Sequence, residues 1–142
     1  MRVRIKLLHK EAKIPQYAHK GDSGVDLYSI ENIVIKHGEW QLVRTGVSIE
    51  IPSGYEAQIR PRSGLALKHG ISVLNTPGTI DSGYRGEIGV ILVNHSRHDF
   101  LVEKHTKIAQ MVFCKVERVS FQQVDKLKET TRNKGGFGST GK

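Results

Sequence analysis

Turn-forming residues punctuate this 142-residue chain so closely that its apolar stretches have room for strands and for little else. Extended runs read from Arg2 to Leu8, Asn32 to Lys36, Trp40 to Ile51, Tyr55 to Arg60, Ile71 to Leu74, Ile88 to Val93, Phe100 to Glu103 and Ile108 to Val116. His37-Gly38 and Pro52-Ser53-Gly54 break them, and no long helical periodicity or internal repeat intervenes. Short strands at this spacing predict an all-β sandwich or barrel. The exception is Ser63 to Lys68. Ser63 is an N-cap type, Leu65-Ala66-Leu67-Lys68 are strong helix formers, and Gly70 is a stop signal.

The length suits one domain with its own core. Composition turns polar near Glu117, which divides that domain into a β core over 1–117 and a C-terminal arm over 118–142. Hydrophobic residues at 37% and charged residues at 25% exclude a disordered chain. No apolar run approaches membrane-spanning length, and the alternation Met1-Arg2-Val3-Arg4-Ile5-Lys6-Leu7 reads as a strand rather than a signal peptide. The single Cys114 excludes an intrachain disulfide and predicts a reducing, intracellular setting. Lys+Arg at 22 against Asp+Glu at 14 gives +8, which favours an anionic partner. Aromatics are only 6% and no five-residue run is purely basic, so a local anion site is predicted over a nucleic-acid-binding sheet.

Candidate chemistry concentrates in Asn75-Thr76-Pro77-Gly78-Thr79-Ile80-Asp81-Ser82-Gly83-Tyr84-Arg85-Gly86, between the apolar runs Ile71 to Leu74 and Ile88 to Val93. Ser82-Gly83 is a reversal signal, and the whole reads as a hairpin. Its glycines would let a flat polar ligand approach backbone N–H and C=O groups, with the Asp81 carboxylate and the Tyr84 ring close by. A plain surface hairpin accounts for the same residues.

Arg60 and Arg62 precede the predicted helix, whose N-terminal N–H groups and positive dipole end, joined to forked arginine donors, make an anion site. Gly21-Asp22-Ser23-Gly24-Val25-Asp26 is a glycine-rich turn carrying two carboxylates. Such a pair suits a magnesium ion held through water once phosphate brings it in, and an Asx turn suits Asp22 better than Asp26, which enters a strand. The end of the chain, Gly135-Gly136-Phe137-Gly138-Ser139-Thr140-Gly141-Lys142, is expected to be mobile until a ligand orders it. Its amides, Ser139, Thr140 and Arg132 suit a terminal phosphate, and Phe137 an aromatic base. It fits the start of a G-x-x-x-x-G-K phosphate loop, but no hydroxyl residue or helix follows the lysine, so that reading is set aside.

Five segments in order resemble the motifs of the trimeric dUTPases, deoxyuridine triphosphate nucleotidohydrolases. They are Ser23-Gly24-Val25-Asp26-Leu27-Tyr28-Ser29, Arg60-Pro61-Arg62-Ser63-Gly64-Leu65-Ala66, the central hairpin, Ile108-Ala109-Gln110, and Arg132 with Gly135 to Gly141. The resemblance implies a distorted jelly-roll or β-barrel with one short helix, a homotrimer with active sites at subunit interfaces, and a tail closing over another subunit's site. It also implies Mg²⁺-dependent hydrolysis of dUTP to dUMP and pyrophosphate, which keeps uracil out of DNA and supplies dUMP. Asp81 would be the base for water attacking the α-phosphate. Asn75 and the backbone of Gly78, Thr79 and Ile80 would read uracil, and Tyr84 would pack under deoxyribose. Arg62, Ser63, Gly64 and Gln110 would hold phosphates, Asp26 would hold Mg²⁺ through water, and Arg132, Phe137, Gly138, Ser139 and Thr140 would form the lid.

A free aspartate titrates at about pH 3.9 and is a feeble base at neutrality. Most acceleration must therefore come from charge stabilisation on the phosphates and from positioning of the water. Two departures from the family pattern stand out. His105-Thr106-Lys107 replaces Gly-Asp-Arg, which predicts the loss of a carboxylate and of an ion pair, and Asn133 stands where glycine is common. A dCTP deaminase would need a glutamate at the position of Ile91, inside the apolar run Ile88-Gly89-Val90-Ile91-Leu92. A non-catalytic regulatory module on the same scaffold is the other reading.

Overall fold

The computed structural model describes residues 1–137 and Ser139. Among them, eleven strands and one helix follow in the order β1 Arg4–Leu7, β2 Gly24–Tyr28, β3 Ile33–Ile35, β4 Trp40–Arg44, β5 Val47–Glu50, β6 Tyr55–Arg60, α1 Ser63–His69, β7 Ile71–Val73, β8 Gly78–Ile80, β9 Gly89–Asn94, β10 Phe100–Val102 and β11 Lys107–Lys115. The expected all-β architecture with one short helix is what forms. A four-stranded sheet runs β2-β11-β6-β8 and a three-stranded sheet β4-β9-β7, while β1 pairs with β5 and β3 with β10.

Period-two alternation builds the core between the sheets. Val25, Leu27, Ala57, Ile59, Ala109 and Met111 from the first sheet share one buried cluster with Val43, Ile71, Val73, Val90 and Leu92 from the second. Each fully buried branched side chain contributes roughly 1.5–3 kcal/mol.

Three sequence readings are corrected. Trp40 to Ile51 is not one strand, because Gly46 takes a left-handed φ of 70° and separates β4 from β5. Ser63 is not the helix cap. Arg62 holds that position with extended backbone, no side chain caps the helix, and Gly70 ends it at φ 64°. The apolar runs on either side of the central stretch do pair, Val73 opposite Leu92 and Ile71 opposite Asn94. They are not joined by a tight turn, however: Gly78–Ile80 leaves to pair with β6 at the edge of the other sheet.

Candidate active site

One row of the four-stranded sheet sets up the first cleft. Alternation sends Val25 and Leu27 into the core and Asp26 outward, Gln110 lies directly opposite Asp26, and Arg60 directly opposite Gln110. Lys107 and Gln110 are three residues apart and would face opposite ways on a regular strand. A register shift between Lys107 and Ala109 absorbs one residue, Ile108 and Ala109 are both buried, and Lys107 comes to face Tyr28 on the Asp26 side. There its Nζ lies 2.7 Å from Asp26 Oδ2, while Arg62 Nε lies 3.2 Å from Oδ1. The hydrogen bond to Asp26, then its charge, raises the Lys107 pKa above the ordinary 10.5. Thr106 stands where the family has a carboxylate, and the segment has other charge contacts: Lys107 pairs with Asp26, and His105 Nε2 meets Glu11 Oε2 at 3.2 Å.

Arg62 then turns the chain into α1. Its carbonyl accepts the first helical bond, from Ala66 N–H, so the amides of Ser63, Gly64 and Leu65 have no partner within the helix. The Gln110 amide nitrogen donates to the Pro61 carbonyl at 2.9 Å and braces this corner. The cleft, about 340 Å³, gathers Asp26, Arg62, Ser63, Gly64 and Gln110, with His19 and Asp22 on its wall. Asp22 Oδ2 accepts the His19 N–H at 2.7 Å, so this carboxylate serves its own turn. Arg60 does not line the cleft. Its guanidinium lies along the sheet on Gln58 Oε1 at 2.6 Å.

A second cleft, about 320 Å³, forms at the central stretch from Leu42, Thr79, Ile80, Asp81, Tyr84 and Glu87, with Gly89 and Ile91 behind them. Because β8 is an edge strand, the side of Gly78, Thr79 and Ile80 away from β6 has no strand partner among the described residues. The Asn75 side chain lies over Gly78, where an added Cβ would come within 3.1 Å of its Nδ2. Asp81 to Tyr84 closes as a four-residue turn, Tyr84 N–H to Asp81 O at 3.0 Å. Glu87 is desolvated by burial, which alone would raise its pKa. Hydrogen bonds from Arg44 and the Gly46 N–H, with the Arg44 charge, hold it below the usual 4.5.

The two clefts share no lining residue. Among the described residues of the tail, none lines either cleft. Arg132 Nε donates back to Gly135 O at 2.9 Å, Ser139 N–H to Gly136 O at 3.1 Å, and the Phe137 ring is fully exposed. Gly138 and Thr140 lie outside the described residues.

The dUTPase family model matches residues 10–141. The chain belongs to the dUTPase family. It is 58% identical over 139 residues to the deoxyuridine 5'-triphosphate nucleotidohydrolase of Clostridioides difficile, covering 98% of this chain and 97% of that protein. It is 60% identical over 140 residues to that of Clostridium tetani, covering 99% and 97%. Among solved structures, a mutant dUTPase of Staphylococcus bacteriophage 80alpha with dUpNHpp superposes with a TM-score of 0.92 at 27% identity, covering 99% of this chain and 98% of that one.

Within this dUTPase-family chain, Arg62, Ser63, Gly64, Gln110 and Asp26 come together, and so do Thr79, Ile80, Asp81 and Tyr84, with Asn75 and Gly78 alongside the second group. Sequence reading missed Lys107 as the partner of Asp26. The signal was a cation just before Ile-Ala-Gln in a segment that had to bulge. It also missed His19, whose place on the cleft depends on the backbone bond from Asp26 N–H to Gln16 O at 3.0 Å.

Proposed function

We propose that this chain hydrolyses dUTP to dUMP and pyrophosphate. The observation that carries the reading is the family match across residues 10–141 of a chain whose folded form holds a polar cleft around Arg62 and a second cleft beside Asp81 and Tyr84. In this reading Asp81 takes a proton from a water whose oxygen bonds to the α-phosphorus as the bond to the β-phosphate bridging oxygen breaks. Asn75 and the open edge of Gly78, Thr79 and Ile80 pair with uracil. Cytosine, with donor and acceptor exchanged, would leave buried groups unpaired. Tyr84 packs under deoxyribose. Arg62, the amides of Ser63 and Gly64, and Gln110 hold the phosphates and stabilise charge as it grows on pyrophosphate.

Magnesium fits this chain only through water. No group of three or more His, Cys, Asp or Glu side chains among the described residues is arranged to hold a metal, and both Asp26 oxygens already face cations. Asp26 would hold the ion by its remaining lone pairs, and the ion when bound would neutralise phosphate charge.

The reading also makes the active unit a homotrimer acting within the cell. The separation of the two clefts supports it, since in a trimer a neighbouring copy's residues would meet this chain's at a shared site. Val119 at 72% exposure, Phe121 at 97% and Leu127 at 80% supply apolar surface in the arm that this chain leaves uncovered. On this proposal Arg132, Phe137, Gly138, Ser139 and Thr140 close over a neighbouring protomer's nucleotide. Free Cys114 is consistent with a reducing compartment.

The test is incubation with Mg²⁺ and dUTP, dCTP, dTTP or UTP, with pyrophosphate and ammonia both measured. Pyrophosphate from dUTP alone is expected. Ammonia from dCTP would contradict the reading, and Ile91 in the second cleft offers no acid for that chemistry.

A further inference from the structure

We infer that Arg44, Thr45 and Ser48, which line neither nucleotide subsite as proposed, are positioning residues that fix the Asp81–Ile88 turn and thereby set the preference for deoxyribose over ribose. The inference rests on the proposed reaction, with Tyr84 under the sugar. Residues 81–88 form no strand, yet their carbonyls are occupied almost one by one. Asp81 O accepts the Tyr84 N–H. Ser82 O and Tyr84 O both accept from Arg85 Nη1, at 2.7 and 2.8 Å. Arg85 O accepts the Ser48 hydroxyl at 2.7 Å, Glu87 O the Tyr84 phenol at 3.0 Å, and Ile88 O the Thr45 hydroxyl. The Glu87 carboxylate is held by Arg44 Nη2 at 3.0 Å, Arg44 Nε at 3.2 Å and the Gly46 N–H at 2.9 Å.

Beyond the bonds that Tyr84 and Arg85 make within the turn, the clamp comes from one short segment, 44–48. Thr45 is 1% and Ser48 6% exposed. A buried hydroxyl is unfavourable at such a place unless it is bonded, and each bonds a carbonyl of this turn. The consequence falls on Tyr84. Its phenol is pinned to Glu87 O, and a side chain at Gly86 would overlap the ring, so Gly86 leaves the space the ring needs. A wall that yields rejects an extra hydroxyl weakly, whereas a wall that cannot retreat rejects it by overlap. Rigidity behind Tyr84, and not contact with the nucleotide, is the contribution of Arg44, Thr45 and Ser48.

The experiment measures kcat and KM separately for dUTP and UTP in the full-length enzyme and in Ser48→Ala, Glu87→Gln and Ser96→Ala. Ser96 makes comparable hydroxyl bonds to Asn94 and His98 in a turn that lines neither cleft, and serves as the comparator. The ratio of kcat/KM for dUTP to that for UTP should fall about tenfold in Ser48→Ala and in Glu87→Gln, largely through better use of UTP, and stay within about twofold of wild type in Ser96→Ala. An unchanged ratio in the first two variants, or an equal fall in Ser96→Ala, would overturn the inference alone. Failure of the unaltered enzyme to hydrolyse dUTP would overturn the proposed reaction, and this inference with it.

Discussion

His105 carries a φ of 67° where its family usually has glycine, and its buried Nδ1 has no hydrogen-bond partner among the described residues. Its pairing with Glu11 is partly exposed and returns little. His105→Gly should therefore raise stability by about 1 kcal/mol, read by denaturant unfolding, and a loss of that size would show that the Glu11 contact dominates. Glu87 titrates below its unfolded value. Its contribution is whole above the ordinary 4.5 and is lost as pH falls through the depressed folded value. The difference in melting temperature between wild type and Glu87→Gln should shrink through that acid range and stay constant near neutrality. Lys107 runs the other way, because its folded pKa is raised. The Asp26 pair is intact below 10.5 and weakens as pH rises through the higher folded value, so Lys107→Met should matter least in strong alkali. At this scale the sequence was informative about residue type but not about partner. Asp81, Tyr84 and Arg62 stood out by their setting, whereas Gln110 stood out only through the family resemblance. That Lys107 meets Asp26 and Glu87 meets Arg44 depends on register between strands distant in the chain, which local pattern does not carry.

Two short elements decide where those residues go. The bulge in β11 brings Lys107 round to the face of Gln110, and the Gly46 break between β4 and β5 aims Thr45 and Ser48 at the Asp81–Ile88 turn. Gly46→Ala combines a left-handed backbone with a Cβ only 2.8 Å from that of Ala12. It should cost about 1–3 kcal/mol in unfolding measurements, and a neutral result would mean that the 8–12 loop gives way. The strands themselves were readable because alternation and turn residues are local signals. β8 was not: Gly-Thr-Ile carries no alternation to recognise, and only the free edge of β6 makes it a strand. The same limit explains Ser63. Its type suits a cap, but Pro61 and Arg62 bring the helix in one residue earlier than a Ser63 cap would allow.

Over the whole molecule, the cleft around Arg62 and the cleft beside Asp81 share no lining residue, and among the described residues of the arm Val119, Phe121 and Leu127 are exposed. The proposed trimer would bring the two clefts together with a neighbour's residues. Light scattering should give three times the 15.9 kDa protomer mass, and a monomer with full activity would contradict shared sites. Deleting 132–142 should lower kcat/KM by about a hundredfold or more while leaving the melting temperature nearly unchanged, since none of those residues belongs to the core cluster. The expectation of a trimer came only from family resemblance, because a face that pairs with another copy reads, in one sequence, like any exposed surface.

The central claim is that a water aimed by Asp81 attacks the α-phosphorus, and hydrolysis in ¹⁸O-labelled water followed by mass spectrometry of both products tests it most directly. The account predicts the label in dUMP alone, with turnover nearly abolished in Asp81→Asn although dUTP still binds. Label in pyrophosphate, or near-normal turnover in Asp81→Asn, would contradict it.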